Sequence, residues 1–299
     1  MRSSRFLMIS AMGLLLGAGS ALAQGRPATT YRTIDPPGAT SATAWGIDPQ
    51  GNIVGQFTDS IGTHGFLRRA AGDYQTIDYP DVAAGLATGT DARGISPTGE
   101  IVGNFWGVPG DAAYQIGIHG YLLTTDGVFT PLDEHGHLHS IAQRILPDGM
   151  ILGCIHDGNM GSTMKGMIVG NGVYEERNAN SSMDNGATPD LEMIVGWYNP
   201  GIPSGYSVVD GVFTSFTIPN SNFTQAWDVN PQGEIVGIYK LNGAPATAFR
   251  GFVLKGNAFT AIDFPEASQT KVYGINPLGN VVGLYVDSLG KTHAFLATR

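Results

Sequence analysis

Three histidines alternate in the stretch Asp133-Glu134-His135-Gly136-His137-Leu138-His139, and His156-Asp157 follows downstream. On an extended segment alternate side chains share a face. His135, His137 and His139 would then point one way. With His156 and Asp157 folded back beside them they would offer imidazole nitrogens and a carboxylate to a transition metal such as zinc, copper or nickel. Neither an H-E-x-x-H spacing nor paired cysteines accompany them, so a solvated His-rich connection is the competing reading.

A second set of residues suits binding. Trp45, Arg93, Gln143, Trp227 and Tyr273 each stand in the same local context, Ala or Val before them and Gly-Ile or its remnant after them. Were that segment the innermost strand of a toroid, these side chains would narrow or plug a central channel, where aromatic rings stack on sugars; packing between neighbouring sheets is the alternative. A third set lies on or beside connections that lengthen in some repeats: Trp106, Tyr114, His135, His137, His156, Lys240 and Asn242. Variable loops on a rigid scaffold are where binding surfaces are usually built.

Other candidates are weaker. His64, His119 and His293 recur in one slot, which points to one local job done several times rather than to one shared ion. Cys154, the single cysteine, cannot form an internal disulfide, and its apolar run lacks the basic neighbours that activate a thiol. No nucleophile elbow G-x-S-x-G and no phosphate loop G-x-x-x-x-G-K-[ST] occurs.

The elements that position these residues are read from a repeat. A Val-Gly or Leu-Gly pair recurs at Gly55, Gly103, Gly153, Gly196, Gly237 and Gly283, spaced 41–50 residues apart as propeller blades are. An aromatic or large apolar anchor follows each: Phe66, Tyr121, Met167, Tyr206, Phe252 and Phe295. A third anchor of the Thr-Ile-Asp kind appears at 33–36, 76–80, 131–133, 217–219 and 262–265, with Val173-Tyr174-Glu175 a poor fit. Asp48-Pro49-Gln50-Gly51 and its four echoes ending at Gly99, Gly149, Gly233 and Gly279 read as type I turns closing hairpins. Asp126-Gly127, Asn171-Gly172 and Asp210-Gly211 read as type I′ turns. The expected fold is therefore all-β: a six-bladed β-propeller with four antiparallel strands per blade. The third anchor comes first in the chain and is missing at its end, so the N-terminal strand is expected to complete the last blade and close the ring.

Gly274-Ile275-Asn276-Pro277-Leu278-Gly279-Asn280-Val281-Val282-Gly283, followed by His293-Ala294-Phe295, resembles the HAF repeat of predicted extracellular bacterial proteins. The first, second, fifth and sixth repeats match well; in the third and fourth, Lys165 and Ser204 replace the histidine. The resemblance implies a secreted, propeller-like protein and brings no reaction or catalytic residues with it.

The N-terminus supports export. Arg2 and Arg5 precede an apolar run from Phe6 to Gly17, and Ala21-Leu22-Ala23 offers a cleavage site, as in a secretory signal peptide. The expected domains are a signal peptide at 1–23 and one propeller at 24–299. The expected location is extracellular or periplasmic, without a transmembrane anchor. Composition agrees: 43 Gly and 17 Pro serve turns, charged residues are 14%, and the net charge of −9 argues against nucleic acid as a partner. The leading expectation is a non-catalytic binding module for an extracellular or envelope protein or glycan. The alternatives are an extracellular carbohydrate-active enzyme, hydrolase or lyase, and a metal-binding propeller using His135–His139.

Overall fold

A computed structural model describes residues 29–80, 87–107, 117–132, 135–157, 163–177 and 182–299. The described residues are all-β, twenty-four short strands arranged as a propeller of antiparallel four-stranded blades. The signal-peptide segment 1–23, Tyr114, Asp133 and Glu134 lie outside the described residues.

Hydrogen bonding does not deliver six separate sheets. Four sheets have four strands each: β10 (His139–Ile145) to β13 (Val173–Arg177), β14 (Ser182–Ala187) to β17 (Val212–Phe216), β18 (Ser221–Val229) to β21 (Ala258–Ile262), and β22 (Gln269–Ile275), β23 (Val281–Val286) and β24 (Thr292–Thr298) with β1 (Thr30–Thr33). The fifth has eight strands, from β2 (Ser41–Ile47) to β9 (Phe129–Pro131). It holds two antiparallel sets, β2–β5 and β6–β9, fused where β4 (Thr63–Arg68) meets β6 (Ala87–Ile95) in one parallel pair, Thr63 with Gly89. The N-terminal strand pairs with the C-terminal one, Tyr31 opposite Ala297.

The repeated glycine has a steric cause. A Cβ on Gly55, Gly103, Gly153, Gly196, Gly237 or Gly283 would lie 1.7–2.1 Å from a carbonyl oxygen of the adjacent innermost strand. In every innermost strand the register slips by one residue beside that contact, at Trp45, Arg93, Gln143, Asn185, Trp227 and Tyr273. A β-bulge of this kind bends and twists the strand and re-aims a side chain. Across the second hairpin each glycine faces the large anchor residue, Gly55 with Phe66, Gly103 with Tyr121 and so on to Gly283 with Phe295. All six anchors are fully buried, each worth roughly 1.5–3 kcal/mol of apolar transfer.

The core is divided into clusters between neighbouring sheets. Val195, Ala226 and Phe252 pack β14–β17 against β18–β21, and Val236, Val253, Val272 and Phe295 pack that sheet against the last. Ile34, Val282 and Ala294 pack with Ala44, Ile53 and Phe66, the last sheet against the first strands.

The turns have the expected closure, with one addition and one correction. Gly51, Gly99, Gly149, Gly233 and Gly279 donate back to the first residue of their turns, with φ between 71° and 96°. A sixth such turn, Thr188-Pro189-Asp190-Leu191, puts Leu191 at φ 59° where glycine stands elsewhere, which hides it in the sequence. Asn171-Gly172 and Asp210-Gly211 have both φ positive, as type I′ requires. Asp126-Gly127 does not: only Gly127 is positive, and its N–H closes a four-residue turn onto Thr124.

Candidate functional site

The innermost strands run from the side of the long connections toward the proline turns, and their bulged residues meet in the middle. Trp45 of β2 lies 4.2 Å from Tyr273 of β22 and 5.7 Å from Trp227 of β18, ring centre to centre, and Trp227 is 4.8 Å from Tyr273. Such pairs contribute about 0.5–1.5 kcal/mol each beyond their burial. The Arg93 guanidinium sits 4.5 Å over the Trp45 ring. It is held there by Asp91 at 2.8 Å and by donation to Gln143 Oε1 at 2.9 Å. Trp227 Nε1 donates to Gln225 Oε1 at 3.2 Å. Tyr273 is buried, while Trp45, Trp227 and Arg93 keep part of their surface in solvent. Trp45 Nε1 and Gln143 Nε2 are buried donors with no acceptor among the described residues. The four residues Trp45, Arg93, Trp227 and Tyr273, expected around a channel, do come together.

Below them the channel is sealed by a pair that sequence reasoning missed. The residue after each bulge is Gly46, Gly94, Arg144, Gly186, Asp228 or Gly274. The glycines are there because strands crowd together: a Cβ on Gly46 would stand 2.6 Å from Arg93 O, and one on Gly274 would stand 2.9 Å from Trp45 O. Arg144 fills the remaining space. It donates to Arg93 O (2.9 Å), Gln143 O (2.8 Å), Trp45 O (3.1 Å) and Tyr273 O, gathering four carbonyls from β2, β6, β10 and β22. Its Nε lies 3.2 Å from Asp228 Oδ2, which also accepts the Ile275 N–H at 3.0 Å. Burial raises the Asp228 carboxyl above the usual carboxylate range, with the Arg144 charge opposing that rise. The signal was present in the sequence: Arg144 and Asp228 are the two positions where a charged residue replaces the Gly of the Gly-Ile element. Beyond this seal, on the turn side, six prolines (Pro49, Pro97, Pro147, Pro189, Pro231 and Pro277) surround a small depression.

The histidine triplet does not share a face. His135 (φ 52°) and Gly136 (φ 92°) break the extended backbone that alternation requires. His135 stacks flat on Tyr174 at 3.7 Å. His137 stands between Asp157 (2.9 Å) and Glu176 (3.1 Å). Burial alone would lower its pKa, but the hydrogen bonds it donates to Glu176 and Asp157 overcome that and raise it. Glu176 in turn is held down at about 2 by hydrogen bonds from Lys165 and His137. Asp157 is lowered by His137 and by the Leu138 N–H. The result is an imidazole whose protonated form is favoured, set between two carboxylates, one of which also meets Lys165. Only His139 lies in a strand, facing His156 across β10 and β11 (Ile151–His156) with ring centres 4.7 Å apart. Among the described residues no group of three or more His, Cys, Asp or Glu side chains is placed to hold a metal ion.

The recurring histidine slot does a local job. His64 pairs with Asp78 at 2.8 Å and His293 with Asp35 at 2.6 Å, tying the second anchor to the third. Arg250–Asp263 (2.6 Å) and Lys165–Glu176 (2.7 Å) do the same elsewhere. Cys154 is buried and its thiol is pushed up to about 12 by that burial, which makes it inert as a nucleophile. Of the rim residues, Trp106 packs beside Gly89, Lys240 lies over the Phe249 ring at 5.4 Å, and Asn242 is exposed with its N–H bonded to Asn220 O. His156 is buried at 2% exposure and so does not belong to the rim.

No protein-family model matches the chain, and no curated protein is similar to it. Solved structures are similar in fold. A putative TolB from Agrobacterium tumefaciens superposes with a TM-score of 0.57 at 16% identity, covering 90% of this chain and 96% of that one. The β-propeller domain of the Trilobed protease from Pyrococcus furiosus gives 0.52 at 12% identity, covering 87% and 94%. A streptogramin B lyase gives 0.51 at 13% identity, covering 90% and 97%. At such identities the likeness speaks for architecture only, and it makes the described fold a β-propeller.

Proposed function

We propose that the protein is an exported, non-catalytic six-bladed propeller of the HAF-repeat kind, and that it binds a glycan on the bowl formed by Trp45, Trp227, Tyr273 and Arg93. The eight-stranded sheet then serves as two blades, β2–β5 and β6–β9, and β1 closes the ring by completing the blade of β22–β24. The two antiparallel sets joined at a single residue pair support that count, and the pairing of β1 with β24 supports the closure. Residues 1–23 act as the signal peptide, and 24–299 form the one secreted domain.

The observation that carries the reading is an aromatic bowl with a closed floor. Two partly exposed indoles and a guanidinium at the centre of a ring suit the C–H faces and hydroxyls of a sugar. A general acid and base are harder to find there. Asp91 is committed to Arg93 and Asp228 to Arg144, and both carboxylates are buried. That weighs against the carbohydrate-active enzyme as well as against a through-channel.

The test is tryptophan fluorescence of the mature chain titrated with a panel of neutral and acidic oligosaccharides. Binding should quench Trp45 and Trp227, and the Trp45→Ala/Trp227→Ala variant should bind at least about tenfold more weakly, the loss of one to two stacking contacts. A variant that binds as well as the parent would sink the proposal. Turnover of any oligosaccharide would restore the enzyme reading.

A further inference from the structure

Between the set β6–β9 and the sheet β10–β13 lies a cleft of about 690 Å³, against about 360 Å³ for the corresponding cleft between β2–β5 and β6–β9. Its apolar lining comes from Leu122 of β8 (Ile118–Leu123), Leu132, Ile151 of β11 and Val169 of β12 (Lys165–Gly170). These four pack as one cluster with Val102 and Ile145. Ile151 is buried, while Leu122, Leu132 and Val169 keep part of their surface in solvent. The extra room has a cause in the outermost strands. Phe129 of β9 stands opposite Leu123 and lines the smaller cleft. Tyr174 of β13 stands opposite Val169, the same place one repeat on, but its ring is stacked on His135 and does not line the larger cleft.

The charges differ as well. In the smaller cleft Arg69 is answered by Asp73 and Asp78 by His64, each at 2.8 Å. The larger cleft is lined by Glu100 and Asp148, and among the described residues neither meets a cation. Each is fixed through one oxygen: Thr98 Oγ1 donates to Glu100 Oε2 at 3.2 Å, and the Met150 N–H donates to Asp148 Oδ1 at 3.0 Å. Asn171 Nδ2 donates to Asp148 O at 2.9 Å and so ties together the two turns of β10–β13 that border the cleft. Glu100 Oε1 and Asp148 Oδ2 are left over, on carboxylates already held in place. An apolar groove carrying a few placed polar groups is the usual form of a binding site.

We propose that this cleft docks an extended segment of a partner protein in which aliphatic side chains flank a lysine or arginine. The aliphatic groups cover Leu122, Leu132 and Val169, and the cation answers Glu100 and Asp148. Complementary charge selects the partner, and the apolar cover supplies the affinity. None of Trp45, Arg93, Trp227 and Tyr273 lines the cleft, so this site stands whether or not the bowl takes a glycan.

The experiment selects binders of the immobilised mature chain from a displayed library of random heptapeptides and then measures the enriched sequences as synthetic peptides. Lysine or arginine between aliphatic residues should be enriched. Those peptides should shift the methyl NMR signals of Leu122, Leu132, Ile151 and Val169. Glu100→Gln/Asp148→Asn, with its methyl spectrum otherwise that of the parent, should bind them about tenfold more weakly, the loss of two exposed ion pairs. Failure to enrich any sequence, enrichment without a cation, unmoved methyl signals, or undiminished affinity in the double variant overturns the proposal. So does a shift of the same methyl signals when the protein alone is concentrated, because the occupant is then a second copy.

Discussion

The first antiparallel set, β2–β5, and the last sheet, β22–β24 with β1, differ from the two sheets in the middle of the chain, β10–β13 and β14–β17, in the atoms that fill corresponding places. In the outer pair a histidine meets an aspartate, His64 with Asp78 and His293 with Asp35. In the third repeat Lys165 meets Glu176 instead, and Arg177 reaches over to Asp184 of the next sheet at 3.2 Å. After the bulge the outer pair carries Gly46 and Gly274, whereas β10 carries Arg144. The bulge, the crowded glycine and the buried anchor stay the same throughout. Position is thus strictly held, because a backbone oxygen lies where a Cβ would be, while the charge pairs are exchangeable as long as two opposite groups meet.

That contrast can be broken, beginning with its largest departure. Arg144→Ala removes a side chain that binds four carbonyls and leaves Asp228 buried without its cation, which should cost about 3–5 kcal/mol. Urea unfolding should show it as a lower midpoint. Restoring the slot to its repeat residue on both sides, Arg144→Gly with Asp228→Gly, should recover more than half of that loss. If the double variant is no more stable than the single, the pair is not the replacement for glycine argued above.

Next in size is the strictly held position itself. Gly153→Ala would place a Cβ 1.7 Å from Ile141 O, and the strand must move to admit it, at about 1–3 kcal/mol. An equal tolerance of alanine at Gly153 and at an exposed strand position would contradict the steric account.

A smaller effect is expected from Asp184, whose carboxyl is raised to about 6 chiefly by burial, with Tyr206 and Arg177 opposing. The folded state then keeps a proton that the unfolded chain has already released, from the ordinary carboxylate range up to about pH 6. Stability contributed by this group is present at the acid end of that window and falls as pH rises through it. Asp184→Asn should flatten the decline in Tm between pH 4 and 6 seen by calorimetry. Glu176, held at about 2, works in the opposite sense and at lower pH, so the windows separate.

The smallest effect concerns the exchangeable pairs. His64→Lys imitates Lys165 and should change stability by no more than about 0.5 kcal/mol near neutral pH, as partly exposed ion pairs do. A loss of several kcal/mol there would show that the histidine slot is as strict as the glycine.

These contrasts also explain what was legible in the sequence. The glycine and its facing aromatic announced the second hairpin, because each obeys a local rule within one pair of strands. Trp45, Arg93, Trp227 and Tyr273 could be grouped because a repeat carries each to an equivalent place. Arg144 and Asp228 were missed because their meeting depends on how two distant repeats are arranged around the centre, which spacing along one strand does not disclose. The histidine triplet misled for a different reason. Its alternation presumed an extended backbone, and a single positive φ at His135 followed by Gly136 turns the side chains apart.

One feature governs the order in which the molecule can be assembled. Tyr31 pairs with Ala297, and Thr33 reaches Tyr285 across a separation of 252 residues. Bringing such distant ends together costs on the order of 5 kcal/mol in chain entropy, recovered only once the intervening sheets have shortened the path. The strand synthesised first is therefore among the last to dock, and folding should be slow for the chain's size. While β1 waits, the outer edge of β24 stays open to any strand of matching register. A second copy's N-terminal segment is such a strand, so crowding during production would favour exchanged dimers over monomers.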